Sequence, residues 1–162
     1  MNTLMKRGLA ILLVLYPVFS IAQSFDTGWN ALQHKNFDEA EKIFRQLDKK
    51  GDPQGMFGLG VMTEFGYGTV KKDPVTARHL YEQAAKLGLP AANHNIGNMY
   101  QHGLGVEISL PTAVEYYTKA ANAGYAISQN YLAYMYYSGM GVKQNYKTAL
   151  RLLQASRRRR ST

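Results

Sequence analysis

The chain reads as an all-α protein, a solenoid of about four antiparallel helix pairs. Three observations lead there. A pattern recurs at a nearly constant period, the period has room for two helices, and its punctuation falls where helices start and stop. The three clearest copies are "GLGVMTEFGYGTVKKDPVTARHLYEQAAKLG", "NIGNMYQHGLGVEISLPTAVEYYTKAANAG" and "YLAYMYYSGMGVKQNYKTALRLLQAS". A Gly-x-Gly turn returns as Gly66/Gly68, Gly103/Gly105 and Gly139/Gly141, at steps of 37 and 36 residues. Ala77, Ala113 and Ala149 recur at 36, and Met62, Met99 and Met135 at 37 and 36. A phosphate-binding Gly-x-Gly follows a strand and occurs once. This one follows a helix and occurs three times, which marks it as a turn between helices.

Each period divides into a helix A and a helix B. Helix A is expected over about Pro53–Phe65, Pro90–His102 and Ala126–Ser138, and helix B over about Pro74–Leu87, Leu110–Ala123 and Tyr146–Ser156. In "AVEYYTKAA", Ala113, Tyr117, Ala120 and Ala121 fall on one helical face. Asp73, Ser109 and Asn145 stand four residues before the repeated Ala. Each carries a short side-chain oxygen that can accept from an orphan N–H as an N-cap. Pro74 suits a first helical position, and Gly88 and Gly124 suit the left-handed residue past a helix end. The frame extends upstream: Asn36, Ala40, Phe44, Leu47 and Gly51 match Asp73, Ala77, Tyr81, Ala84 and Gly88. So "NFDEAEKIFRQLDKKG" is a fourth helix B, preceded by a helix A over about Asp26–His34 with a much shorter turn and no Gly-x-Gly.

The pattern resembles the Sel1-like repeat family, a branch of the tetratricopeptide-like α-solenoids. The matching residues are the pairs Leu59–Gly60, Ile96–Gly97 and Leu132–Ala133, the Gly-x-Gly turn, Val70, Val106 and Val142, the repeated Ala, and Leu80–Tyr81, Tyr116–Tyr117 and Leu152–Leu153. The resemblance spans residues 52–156, divided as 52–88, 89–124 and a truncated 125–156, while 23–51 looks more like a plain tetratricopeptide unit. It implies a right-handed solenoid that recognises a protein or peptide and uses no cofactor. Two positions depart from the family: Thr63 stands where Tyr100 and Tyr136 keep an aromatic, and Ser156 and Arg157 replace the paired Ala. Some exported relatives lock each repeat with a disulfide; this chain has no cysteine.

The first residues read as an export signal: Lys6 and Arg7, the apolar run "GLAILLVLYPVF", then Ser20 and Ala22 placed for cleavage before Gln23. That gives a signal over 1–22 and a periplasmic or secreted protein; the alternative is a short anchor left uncleaved. No cysteine follows the run, which excludes lipoprotein anchoring, and thiol catalysis and Cys-ligated zinc fall with it. Setting aside Lys6, Arg7 and Arg157–Arg160 lowers the formal charge of +8 by six, to +2. The basic character then lies mostly in the tail, 157–162.

Comparing copies separates packing positions from free ones. On helix A the i, i+4, i+7 stripe reads Phe57, Val61, Glu64, then His94, Asn98, Gln101, then Asn130, Tyr134, Tyr137. A face that changes from apolar and acidic, to amide-rich, to aromatic suits recognition of a protein or peptide on a concave surface. Arg157, Arg158, Arg159 and Arg160 offer a second possibility, binding of an anionic surface such as lipid head groups, lipopolysaccharide or nucleic acid, against the plain reading of a solvated terminus. Catalysis finds little support. His34, His79, His94 and His102 form no His-x-x-x-His pair, there is no Gly-x-Ser-x-Gly, and Glu64 and Glu82, the one conceivable carboxylate pair, lie on different helices with nothing marking them as buried. A hydrolase of cell-wall or β-lactam substrates stays open only through its suggestion for some exported relatives. No metal, cofactor or small-molecule substrate is expected. The arginines begin where the last helix B should carry its apolar pair, so the solenoid's end either pairs with another copy or is closed by charge.

Overall fold

A computed structural model describes residues 24–158; the expected export signal, Arg159 and Arg160 lie outside the described residues. Those described are helical apart from their turns: α1 (residues 24–33), α2 (Phe37–Lys49), α3 (Pro53–Phe65), α4 (Pro74–Lys86), α5 (Pro90–His102), α6 (Leu110–Asn122), α7 (Ala126–Ser138) and α8 (Tyr146–Arg158). From α2 onward each helix packs on the next, so the protein is an all-α solenoid whose core runs along the stack. Its A helices are α1, α3, α5 and α7.

The punctuation acts as its chemistry requires. Asp73 Oδ1 accepts from the N–H groups of Val75 and Thr76, Ser109 Oγ from Thr112 and Asn145 Oδ1 from Thr148. Asn36 departs from the rule, making no cap bond and placing its amide 3.4 Å from Glu39. The A helices end on Gly66, Gly103 and Gly139 with φ of +72°, +70° and +73°. Each turn is then tied back: the N–H groups of Asp73, Ser109 and Asn145 donate to the carbonyls of Thr63, Tyr100 and Tyr136. That tie is made by backbone, which is why Thr63 can stand where its counterparts are tyrosines. The short α1–α2 turn has no glycine, and Lys35 takes the left-handed conformation instead, at φ +62°. α8 runs two residues past the expected end, so Arg157 and Arg158 form the last turn of a helix, where cations complement the helix dipole.

Inside each pair one contact repeats. The rings of Phe44, Tyr81 and Tyr117, all fully buried, lie over Gly28, Gly60 and Gly97 on the partner helix A; a Cβ there would come within 2.8, 2.6 and 2.9 Å of the ring. Each ring also meets the next repeat: Gly58 touches Phe44, the Asn95 side chain lies beside the Tyr81 hydroxyl, and Tyr131 lies 5.6 Å from the Tyr117 ring. In the fourth pair the two positions hold Leu153 and Ala133, and Leu153 is 41% exposed.

The second glycine of each turn makes the contact between repeats. Gly68, Gly105 and Gly141 press on the first residue of the preceding helix B, Phe37, Pro74 and Leu110. At Gly141 a Cβ would lie 2.5 Å from the Leu110 backbone, whereas at Gly88, equally left-handed at φ +87°, it would meet nothing within 4 Å. We therefore expect Gly88→Ala to cost only the strain of the left-handed conformation, about 1–2 kcal/mol. Gly141→Ala adds overpacking of about 1–3 kcal/mol. Urea unfolding of the two variants checks the difference; equal losses would mean that clearance at Gly141 is unimportant.

Candidate functional site

The A helices enclose a groove of about 530 Å³. Phe25 and Trp29 of α1, Phe57 and Val61 of α3, and Tyr125 and Ile127 at the start of α7 supply its apolar walls. Gln54, Glu64, His94, Asn95 and Asn98 supply its polar groups. Among the described residues no Lys or Arg lines it.

Five of the nine stripe residues meet here, at different depths. Phe57 is half-buried, its ring 6.3 Å from Trp29 and 5.6 Å from Tyr81. Val61 is buried and Asn98 partly exposed. Glu64 is buried, against the sequence reading that nothing marked it so. Its carboxylate accepts a 2.7 Å hydrogen bond from the Tyr81 hydroxyl. Burial raises the Glu64 pKa above the usual carboxylate range, opposed by the Tyr81 bond and by Lys72. The Tyr81 hydroxyl is held protonated by burial and by the same carboxylate. Glu82 is elsewhere, paired with Arg78 and with His79 on its own helix. Gln101 repeats the Glu64 arrangement, its Oε1 accepting from Tyr117 at 2.8 Å.

The remaining stripe residues separate from the groove. Gln101 lines a hollow of about 330 Å³ with Tyr131, Tyr134 and Met140. Asn130 is engaged by Ser156, whose hydroxyl donates to its Oδ1 at 2.6 Å. That bond keeps Ser156 buried where the other repeats place Ala84 and Ala120. Tyr134 and Tyr137 are each 61% exposed and face α8 across a third hollow. Variation at the Glu64/Gln101/Tyr137 position follows the helix B partner: a carboxylate and an amide both accept from a tyrosine hydroxyl, and Leu153 has none to offer. Sequence reasoning missed Phe25, Trp29, Asn95 and Tyr125. Placing Gly28 on Gly60 puts Phe25 and Trp29 on Phe57 and Val61, so the stripe rule carried into α1 would have found two of them.

His94 connects the second repeat to the third. Its Nδ1 shares a 2.9 Å hydrogen bond with the buried Ser128 hydroxyl, and its ring lies 5.1–5.5 Å from those of Tyr117, Tyr125 and Tyr131. Burial among these rings lowers the His94 pKa to about 4. Among the described residues no three His, Asp or Glu side chains cluster as a metal site.

A histidine whose folded pKa lies below its unfolded value of about 6.5 binds its proton more readily in the unfolded chain. Its stabilising contribution is complete above pH 6.5 and is lost as the pH falls toward 4. Thermal melts should therefore show the Tm advantage of the wild type over His94→Gln shrinking between pH 7.5 and 4.5. A constant gap would place His94 in solvent.

Comparison with known proteins extends the geometry. The Sel1 repeat model matches residues 53–89, 90–125 and 126–159. Among solved structures, a protective antigen of uropathogenic Escherichia coli displaying an SLR fold is 36% identical with a TM-score of 0.68, over 75% of this chain. This chain spans only 26% of that antigen. A Sel1 repeat protein from Oxalobacter formigenes is 33% identical with a TM-score of 0.67, over 73% of this chain and 89% of that one. The Helicobacter pylori cysteine rich protein B, at 20% identity and a TM-score of 0.57 over 83% of this chain and 89% of that one, shares the fold. No curated protein matches. Three consecutive repeat matches, each with its Gly-x-Gly turn between paired helices, place this chain in the Sel1 repeat family.

Proposed function

We propose that this protein is an exported scaffold that holds an extended, apolar segment of a partner protein in the groove between α1, α3, α5 and α7. Sel1 repeats are in general protein-interaction scaffolds, which supports the class of function. The observation that carries the finer reading is the lining. Aromatic and aliphatic walls offer pockets for side chains, and the Gln54, Asn95 and Asn98 amides can each donate to and accept from a peptide backbone. The lack of cations among the described lining residues favours a neutral segment over an acidic one. Export is supported by the basic start, the apolar run and the small residues before Gln23. This reading assigns the groove no reaction: Glu64, the one carboxyl group among its described lining residues, is taken up by Tyr81.

The chain's single tryptophan, Trp29, lies in the groove wall and reports on occupancy. Peptides of about ten residues carrying two bulky apolar side chains should shift its emission saturably, whereas polar peptides should not. Asn98→Leu should weaken binding by roughly 3–10-fold with an unchanged Tm, the loss of one net hydrogen bond of about 0.5–1.5 kcal/mol. Unshifted Trp29 emission across an apolar panel, or undiminished binding by Asn98→Leu, would contradict the proposal.

A further inference from the structure

The last repeat differs from the others in packing and in charge, and the two differences meet at one surface. The slot between α3 and α4 is filled by α5, where Asn95 reaches Tyr81. The slot between α5 and α6 is filled by α7, where Tyr131 reaches Tyr117. The corresponding slot between α7 and α8 is a hollow of about 410 Å³ lined by Ala133, Tyr134, Tyr137, Tyr146, Leu150 and Leu153. The last five of these are 41–61% exposed. Tyr137 and Tyr146 close one end, their rings edge to face at 5.4 Å.

The charge on the two helices of the slot has one sign. Among the described residues, α7, α8 and the turn between them hold Lys143, Lys147, Arg151, Arg157 and Arg158 and no Asp or Glu, while residues 24–115 carry a small net negative charge. The basic character thus extends through the last repeat as well as the tail, where the sequence reading put most of it. On α8 the apolar residues Tyr146, Leu150 and Leu153 follow i, i+4, i+7, and Lys147 and Arg151 run beside them one position round the helix.

We infer that the α7–α8 slot receives an amphipathic helix of a partner protein, with its apolar stripe against Tyr134, Tyr137, Leu150 and Leu153 and its flanks rich in Asp and Glu. The two preceding slots each hold a helix, and the charge beside this one selects the partner. Two copies of this chain joined end to end by a two-fold axis would bring cations against cations. An acidic helix supplies what the whole repeat lacks, and helix-in-groove recognition uses this combination of apolar anchors and charged rim. A lipid surface would use the same charge, but here the apolar residues line a hollow between two helices.

The test uses the full chain and three fluorescent peptides of about 18 residues, five helical turns. One has a Leu/Ile stripe with Glu flanks, one has the same stripe with Lys flanks, and one has the first composition with its apolar residues dispersed. Anisotropy should show saturable binding of the first, at least about tenfold tighter than either other, a difference of about 1.4 kcal/mol. Leu150→Ser with Leu153→Ser should weaken it at least about tenfold. Lys147→Glu with Arg151→Glu should turn the preference toward the Lys-flanked peptide. Circular dichroism melts report whether each variant is folded, and the charge pair, being exposed, tests the proposal if the leucine pair unfolds the chain. Equal binding of the dispersed peptide would reduce the effect to general attraction and overturn the proposal. Equal binding of the Lys-flanked peptide would remove its charge argument. Binding of phosphatidylglycerol vesicles, sensitive to the same substitutions and without binding of the acidic peptide, would replace it with a lipid surface.

Discussion

The stack depends on one contact made three times. A fully buried ring at the centre of a B helix, Phe44, Tyr81 or Tyr117, enters the gap left by a glycine on its A helix, Gly28, Gly60 or Gly97. The glycine lets the two helices close around the ring, and burying the ring supplies the largest single piece of apolar area in each pair. The same ring then presents its far side to the next repeat, through Gly58, Asn95 or Tyr131. It therefore holds each pair together and joins it to its neighbour, the nearest-neighbour coupling on which a solenoid's cooperativity rests. The turn glycines serve this arrangement: one ends the A helix in a left-handed conformation, and the next leaves room for the start of the preceding B helix.

The fourth pair lacks the contact, and its properties follow. Leu153 and Ala133 replace ring and glycine, α8 keeps only Ala149 and Ser156 buried, and the apolar residues that a further repeat would cover stand open. Ser156 compensates in part by bonding Asn130 across to α7. The two candidate binding surfaces are thus of different origin. The groove is lined from four A helices, while the slot lies between α7 and α8 of the last repeat.

Much of this was legible in the sequence because repeat punctuation is local. Pro at helix starts, Asp, Ser and Asn at N-caps and Gly at helix ends each act through their own backbone, and the A-helix bounds of α3, α5 and α7 fall where those residues put them. The first pair was harder to place because Lys35 ends α1 without a glycine to announce it. The site was only partly legible. Comparing copies finds positions that vary, but it does not see depth. Glu64 and Gln101 vary because either can accept from a tyrosine hydroxyl, and Val61 is buried although it lines the groove wall. Phe25 and Trp29 of the groove's aromatic wall were missed because α1 lies outside the clear repeats.

Amide hydrogen exchange, followed helix by helix by mass spectrometry, tests the ring-and-glycine contact most directly. If that contact sets local stability, α3 to α6 exchange slowest and α8 fastest, and the double substitution Ala133→Gly with Leu153→Tyr slows exchange across α7 and α8. Uniform protection along the stack, or no slowing in the double variant, would contradict it.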